Sequence, residues 1–128
     1  MNGHEKPLIW IGSSKKDLMN LPVPIRKFFG HALHYAQLGE THGSAKVLRG
    51  FGDAGVLELI RNDAHGTYRG VYTVRFAEAV FVLHCFQKKS KAGIATPEED
   101  KAIISQRLKI AEVVAQEMRD AQAENRRH

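Results

Sequence analysis

The sequence has little cysteine and no long apolar run. Its single cysteine, Cys85, has no second cysteine with which to form an intramolecular disulfide. The longest uninterrupted apolar stretch, around residues 79–83, is far shorter than the roughly 18 residues that a bilayer-spanning helix needs. The N-terminus does not combine a basic start with an apolar, signal-like segment. We therefore expect a cytoplasmic protein that does not insert into membranes.

The composition is that of one soluble globular domain. A chain of 128 residues can bury a single hydrophobic core but is too short for a second independent one. Hydrophobic residues make up 43% and charged residues 26%, which excludes a chain that is disordered throughout. We predict one domain over residues 1–128, with residues 119–128 as a polar tail that frays. A net charge of +5 favours a polyanionic partner.

The first third of the chain predicts one strand and two helices. Residues 6–12 form a short β-rich run that begins with a proline, as is typical of an edge or first strand. A short helix follows from Ser14, and a second helix ends near Gly39. The second helix has an apolar stripe at helical spacing, which we assign to the core: Ile25, Phe28, Phe29, Ala32, Leu33 and Ala36.

The rest of the chain predicts a meander of strands and a last helix. Runs rich in Val, Leu, Tyr and Phe predict strands at residues 46–51, 56–62, 67–76 and 79–88. Thr96 as N-cap and Glu99 three residues later predict a capping box for the last helix. The fold class is therefore α+β, an antiparallel β-sheet with two N-terminal helices and one C-terminal helix packed on it. We expect these helices on one face of the sheet and the other face open to a polymer such as RNA.

The short link at Ala77 and Glu78 predicts a register for the last two strands. A two-residue hairpin loop would pair Tyr72 with Leu83 and Tyr68 with Gln87. One predicted face would be open and basic, with Arg69, Val71, Thr73, Arg75, Val80, Val82, His84, Phe86 and Lys88. The other would be the core, with Tyr72, Val74, Phe76, Phe81, Leu83 and Cys85.

Each candidate on the basic face has a structural alternative. Arg69 is either an RNA-binding residue or a solvated arginine paired with Glu58 across the sheet. His84 lies among apolar residues, where a hydrogen-bonded, partly buried histidine is more common than a general acid or base. The lysines of residues 88–91 are either a solvated strand end or an anion site, and clustering of like charges favours the anion.

Other titratable residues suggest no metal or cofactor. His31 and His34 on the second helix are more readily explained as exposed or hydrogen-bonded than as catalytic residues. The scattered histidines do not form a zinc motif, and Cys85 has alternating apolar neighbours typical of a core position. We therefore predict no metal ligand and no cofactor.

Several segments together resemble the RelE/ParE/HigB toxin superfamily, and most closely its phage-derived, HigB-like branch. The resemblance rests on Tyr68-Arg69-Gly70-Val71-Tyr72 together with Phe86-Gln87-Lys88-Lys89-Ser90, and it extends from about Lys6 into the last helix. It implies the toxin of a type II toxin–antitoxin pair. Such a toxin would be an endoribonuclease that cuts messenger RNA on the ribosome, with a cognate antitoxin that often carries a helix-turn-helix.

The resemblance also assigns site residues. The arginine of the Tyr-Arg element falls on Arg69, and the basic pair after the next strand falls on Lys88 and Lys89. The expected cleavage also needs a proton acceptor for the ribose 2′-hydroxyl, and apart from the resemblance we consider His84 and Glu58 as the two candidates. RNA contacts are assigned to four further residues: Arg49, Arg61, Phe86 and Lys91.

The chain also departs from the RelE pattern. The strand before the Tyr-Arg element lacks the two lysines of RelE-like members, and no tyrosine follows Tyr72 to act as the acid. Two other functions therefore remain open: a ParE-like inhibitor of DNA gyrase, and a catalytically silent nucleic-acid-binding module.

Overall fold

The computed structural model describes residues 4–53, 55–88 and 95–127. Their secondary structure is, in chain order, β1 (Leu8–Trp10), α1 (Ser14–Met19), α2 (Val23–Gln37), β2 (Lys46–Val47), β3 (Val56–Asp63), β4 (Gly66–Thr73), β5 (Val80–Lys88) and α3 (Glu98–Arg126). This confirms the predicted α+β class and the predicted order of elements. The structure contains no helix, within those residues, that is both long enough and apolar enough to cross a membrane.

The five strands form one mixed sheet in the order β1-β5-β4-β3-β2. The strands from β2 to β5 pair antiparallel, as predicted, but β1 runs parallel to β5, with Leu8 opposite Val80. The sheet is therefore mixed, and β1 is the strand that departs from the predicted antiparallel arrangement. Two helices separate β1 from the other strands, so no hairpin forces it to run antiparallel to its neighbour. The edge strand β2 is shorter than predicted, and the predicted continuation to residue 51 contains Gly50, whose positive φ angle is not that of a β-strand.

Helices cover both faces of the sheet, so the predicted open face does not exist. One core lies between the sheet and the α1–α2 pair and includes Phe29, Tyr72 and Val82. A second core lies between the sheet and α3 and includes Phe81 and Ile104. The central strands carry apolar side chains on both faces, and such strands are stable only when both faces are covered.

A β-bulge in β5 divides the predicted register into a correct and an incorrect half. Tyr68 pairs with Gln87 as predicted, but beyond the bulge Tyr72 pairs with Val82 instead of Leu83. Leu83 is the extra residue, and the connection between β4 and β5 spans residues 74–79 instead of the predicted two residues. The predicted core set was therefore wrong, because Tyr72 and Phe81 lie in cores on opposite faces of the sheet.

The helices follow the sequence pattern more closely. The apolar stripe of α2 is buried at Ile25, Phe29, Ala32, Leu33 and Ala36, and the helix ends just before Gly39, which has a φ of 83°. α3 is helical as far as Arg126. Fraying of residues 119–128 stays a prediction.

Candidate active site

A polar cluster lies between the sheet and the first turn of α3. Glu58, Arg69 and His84 come from the three neighbouring strands β3, β4 and β5, on the face that α3 covers. The first turn of α3 and the residues just before it contribute Thr96 and Asp100. Arg69 and His84 therefore share one face, as the sequence predicts. Their predicted exposure to solvent was wrong, since only 4% of Arg69 and 7% of His84 is exposed.

Arg69 lies in a buried ion pair with Glu58. Its Nη1 is 3.1 Å from Glu58 Oε2, as the structural alternative for Arg69 predicts, and it also donates to Thr96 Oγ1 at 3.3 Å. The Thr96 hydroxyl in turn donates to Glu58 Oε2 at 2.9 Å. Thr96 therefore does not cap α3 as predicted; the N-cap residue is Pro97, which makes no side-chain cap hydrogen bond. The hydroxyl is instead used to satisfy a buried carboxylate.

His84 is held between a carboxylate and an aromatic ring. Its Nε2 lies 2.8 Å from Asp100 Oδ1, and the Phe86 ring stacks on the imidazole at a centroid distance of 4.5 Å. The other ring nitrogen, Nδ1, is buried and has no hydrogen-bond partner among the described residues. If Nε2–H donates to Asp100, as a carboxylate favours, Nδ1 of the neutral ring carries a lone pair that can accept a proton.

Lys88 connects this cluster to the surface. Its Nζ lies 3.7 Å from Glu99 Oε1 and 3.9 Å from Asp100 Oδ2, and a third of its side chain is exposed. Lys89 and Lys91, which the sequence also assigns to the site, lie outside the described residues. Of the lysines in residues 88–91, the structure therefore describes Lys88, and its ammonium group is paired with acidic residues of the first turn of α3.

The two other predicted RNA-binding arginines are placed differently. Arg49 is exposed and lines an open cavity together with Glu98 and Lys101, beside the first turn of α3. Arg61 lies on the opposite face, where its guanidinium carbon is 4.4 Å from the centroid of the Phe28 ring. The structure does not bring Arg61 together with Arg69 and His84.

Two buried side chains that can ionise, Cys85 and Tyr72, lie on the other face of the sheet, away from the polar cluster. Burial raises the pKa of the Cys85 thiol to about 12 and that of the Tyr72 hydroxyl to about 12. Both side chains belong to the core under α1 and α2. Cys85 is therefore a core residue, as predicted. Among the residues that the structure describes, no group of three or more His, Cys, Asp or Glu side chains could hold a metal ion.

Sequence reasoning missed Thr96 and Asp100 as members of the cluster. Thr96 matches an N-cap signal, and Asp100 is one of three acidic residues in the first turn of a helix, where the helix dipole alone explains a negative charge. Neither pattern indicates which strand the side chain contacts. A pairing with β3 and β5 becomes visible only when α3 is placed across the sheet.

Comparison with known proteins identifies the family. Residues 16–109 match the family described as phage derived protein Gp49-like (DUF891). A free-state structure of a double mutant of the E. coli toxin RelE superimposes with a TM-score of 0.52 and 22% identity, covering 82% of this chain and 96% of that one. No curated protein matches the chain. The chain thus belongs to the Gp49-like family of phage-derived proteins, and its fold is similar to that of the toxin RelE.

Proposed function

We propose that this protein is the toxin of a type II toxin–antitoxin pair and acts as an endoribonuclease on messenger RNA at the ribosome. Family membership and the fold shared with a toxin support the toxin assignment. The observation that carries the nuclease assignment is the convergence of Arg69, His84 and Lys88 on one face of the sheet. A proton acceptor and cations at one place are what phosphodiester cleavage by the ribose 2′-hydroxyl requires.

His84 is the better of the two candidates for the proton acceptor. Glu58 Oε2 already accepts hydrogen bonds from Arg69 and Thr96, whereas His84 Nδ1 has no partner among the described residues. In the proposed reaction His84 removes the proton from the 2′-hydroxyl, and the 2′-oxygen attacks the adjacent phosphorus. Asp100 stabilises the resulting imidazolium, and the bond to the 5′-oxygen breaks to leave a 2′,3′-cyclic phosphate.

The cations act on the charge that develops on the phosphoryl group. Arg69 and Lys88 neutralise its oxygens, and the ammonium of Lys88 gives a proton to the departing 5′-oxygen. Lys89, Lys91 and Arg49 would contact flanking phosphates. The partly exposed ring of Phe86, which already stacks on His84, offers a surface for a base. The reaction needs no water and no cofactor.

The burial of the cluster sets a requirement for this function. RNA meets Lys88 and Phe86 first, because both are partly exposed, and it reaches the buried Nδ1 of His84 only when the side chains that cover this atom move while Asp100 keeps its contact with Nε2. The contacts that hold the first turn of α3 at the cluster include Asp100 with His84 and Lys88, and Thr96 with Arg69 and Glu58. A phosphate would compete with Glu99 and Asp100 for Lys88.

The test is cleavage of end-labelled single-stranded RNA by the purified protein, with and without ribosomes. His84→Gln keeps a polar side chain but removes the base, and we expect cleavage to fall by about 10²-fold or more. His34→Gln is the matched control, because His34 is an exposed histidine of α2 far from the cluster in sequence. Circular dichroism checks that both variants are folded.

The products provide a second readout. Mass spectrometry should find a 2′,3′-cyclic phosphate at the new end. Cleavage by His84→Gln at the rate of the unaltered protein would contradict the assignment of the base. Growth inhibition without any RNA cleavage, accompanied by loss of DNA gyrase activity, would contradict the nuclease proposal and favour a ParE-like function.

A further inference from the structure

A group of aromatic rings lies on the α2 side of the molecule, away from the polar cluster. Phe28, His31 and Tyr35 lie on one side of α2, and His42 comes from the segment that follows the helix. Arg61 reaches the same place from β3. We refer to these five residues as the ring cluster.

His42 is the centre of the ring cluster. Its imidazole makes edge contacts with three rings, at centroid distances of 5.6 Å to Phe28, 5.7 Å to His31 and 5.4 Å to Tyr35. His31 and Tyr35 also contact each other at 4.9 Å. The spacing of Phe28, His31 and Tyr35, three and then four residues apart, places them on one side of the helix.

The ring cluster is accessible and carries positive charge. His31 and Arg61 are exposed, and Phe28, Tyr35 and His42 are half-buried. Arg61 has no ion-pair partner within residues 4–53, 55–88 and 95–127, and its guanidinium lies over the Phe28 ring. The cluster itself contains no carboxylate.

The hydrogen bonding of His42 also leaves a donor at this surface. Its Nδ1 accepts a hydrogen bond of 3.0 Å from the backbone N–H of Ser44. A neutral imidazole that accepts at Nδ1 carries its proton on Nε2. The ring cluster therefore combines aromatic faces, a planar cation and an N–H donor.

We propose that the ring cluster binds unstacked bases of single-stranded RNA. Exposed aromatic rings, histidines and arginine guanidinium planes are the groups on which splayed bases stack, and the cation attracts the neighbouring phosphates. This inference goes beyond the proposed function, because the ring cluster lies on the face of the sheet opposite to Arg69 and His84. It would make this face a second contact for an RNA strand, independent of cleavage.

The competing explanation is purely structural. Ring contacts around His42 also fix residues 38–45 against α2, and this alone would account for the packing. The two explanations differ in what the loss of an exposed ring does. A structural role predicts a change in stability, and a binding role predicts a change in affinity for bases.

The test is fluorescence anisotropy with two labelled six-nucleotide probes. One is a 2′-O-methyl adenosine oligomer, which cannot be cleaved because its 2′-oxygen is blocked, and the other is an abasic oligomer with the same phosphates. We expect the base-containing probe to bind about tenfold more tightly than the abasic probe. We expect His31→Ala and Arg61→Ala each to reduce that affinity about tenfold.

Two control variants match these changes. His34→Ala removes another exposed histidine from α2, and Arg126→Ala removes another exposed arginine. Both should bind the base-containing probe within a factor of two of the unaltered protein. Equal binding of both probes, or equal effects of His31→Ala and His34→Ala, would overturn the proposal.

The outcome is separable from that of the cleavage experiment. His84→Gln should lose cleavage yet retain its preference for the base-containing probe over the abasic one. His31→Ala should remain folded because the side chain is exposed, and a melting curve checks this. If it unfolds, ¹H–¹³C NMR of the unaltered protein decides, since stacked bases must shift the ring signals of His31 and His42. Unshifted signals at a saturating concentration of the probe would reject the site.

Discussion

His84 Nε2 and Asp100 Oδ1 lie 2.8 Å apart, although the two residues belong to a strand and to a helix that are separated in sequence by the nine residues 89–97. A β-bulge at Leu83 immediately precedes His84 in β5. Without the extra residue, Leu83 and His84 would face opposite sides of the sheet; with it, Leu83 enters the core under α3, on the same face as His84. The bulge therefore places an apolar side chain of this core next to the imidazole that meets Asp100.

Asp100→Asn tests whether this contact serves the proposed chemistry. The amide has the shape of the carboxylate but cannot stabilise an imidazolium, so we expect RNA cleavage to fall by about 10² to 10⁴-fold. The measurement is the cleavage rate as a function of pH. A purely structural role for Asp100 would lower stability and leave both the rate of the folded fraction and its pH profile unchanged.

Arg69→Ala should destabilise the protein, contrary to what an exposed position would predict. The substitution leaves Glu58 buried without its cation, and breaking a buried ion pair in this way typically costs about 3–5 kcal/mol. Urea denaturation measures the change in the free energy of unfolding. The double variant Arg69→Ala/Glu58→Gln should recover part of the loss, because no unpaired charge remains. A loss below about 0.5 kcal/mol would show that Arg69 is exposed to water in solution.

The expected loss of stability also decides which substitution of Arg69 can test its function. Arg69→Ala confounds loss of activity with loss of folding, so Arg69→Lys, which keeps the charge, is the informative variant. Lysine cannot reproduce the planar fork of the guanidinium, and we expect a smaller loss of stability but still a loss of cleavage.

Sequence patterns determined the elements better than the site. The buried stripe of Phe29 and Ala32 on α2 and the core position of Cys85 follow from the spacing of apolar residues in the sequence. Such positions can be predicted because the removal of apolar surface from water is the main cause of their burial. The bulge at Leu83 has no such signature. An extra apolar residue in an apolar strand leaves the composition unchanged, while it reverses the face of every residue beyond it. The role of Asp100 could not be predicted either, because Asp100 is one of three acidic residues in the first turn of α3, where the helix dipole is sufficient to explain negative charge.

Alkaline pH should weaken the fold through Cys85. Burial raises the pKa of this thiol from 9.0 to about 12, so the folded state keeps the proton while the unfolded state loses it. The stabilisation is complete below pH 9 and is lost as the pH rises towards 12. Between pH 8 and pH 10 the unaltered protein should lose about 1.4 kcal/mol more stability than Cys85→Ala.

Denaturation by urea at several pH values measures this difference. The comparison with Cys85→Ala removes the contribution of other groups, including Tyr72, whose pKa is also raised to about 12 by burial. Parallel curves for the two proteins between pH 8 and pH 10 would show that the thiol is not buried. A thiol reagent added at pH 8 should accordingly label Cys85 only at the rate of unfolding.

Gly12, just before α1, lies against the Arg107 side chain of α3. The energetic coupling between these two residues can be tested. Gly12 has a φ of 59°, and a Cβ atom there would lie 2.7 Å from Arg107 Nε. The guanidinium of Arg107 donates to the carbonyl of Leu83 at 2.9 Å and to Ser13 Oγ at 3.1 Å, so it links α3 to the bulge. Gly12→Ala should therefore cost about 1–2 kcal/mol for the left-handed backbone and a further amount for displacing Arg107.

A double-mutant cycle separates the two costs. In an Arg107→Ala background the steric conflict is gone, and Gly12→Ala should cost only the backbone part, which gives a coupling of about 1 kcal/mol between the two positions. Gly30→Ala is the control, since Gly30 is an exposed α2 residue with open space around its missing Cβ, and alanine there should stabilise the helix by about 1 kcal/mol. Additive effects of Gly12→Ala and Arg107→Ala would mean that the guanidinium does not lie over Gly12 in solution.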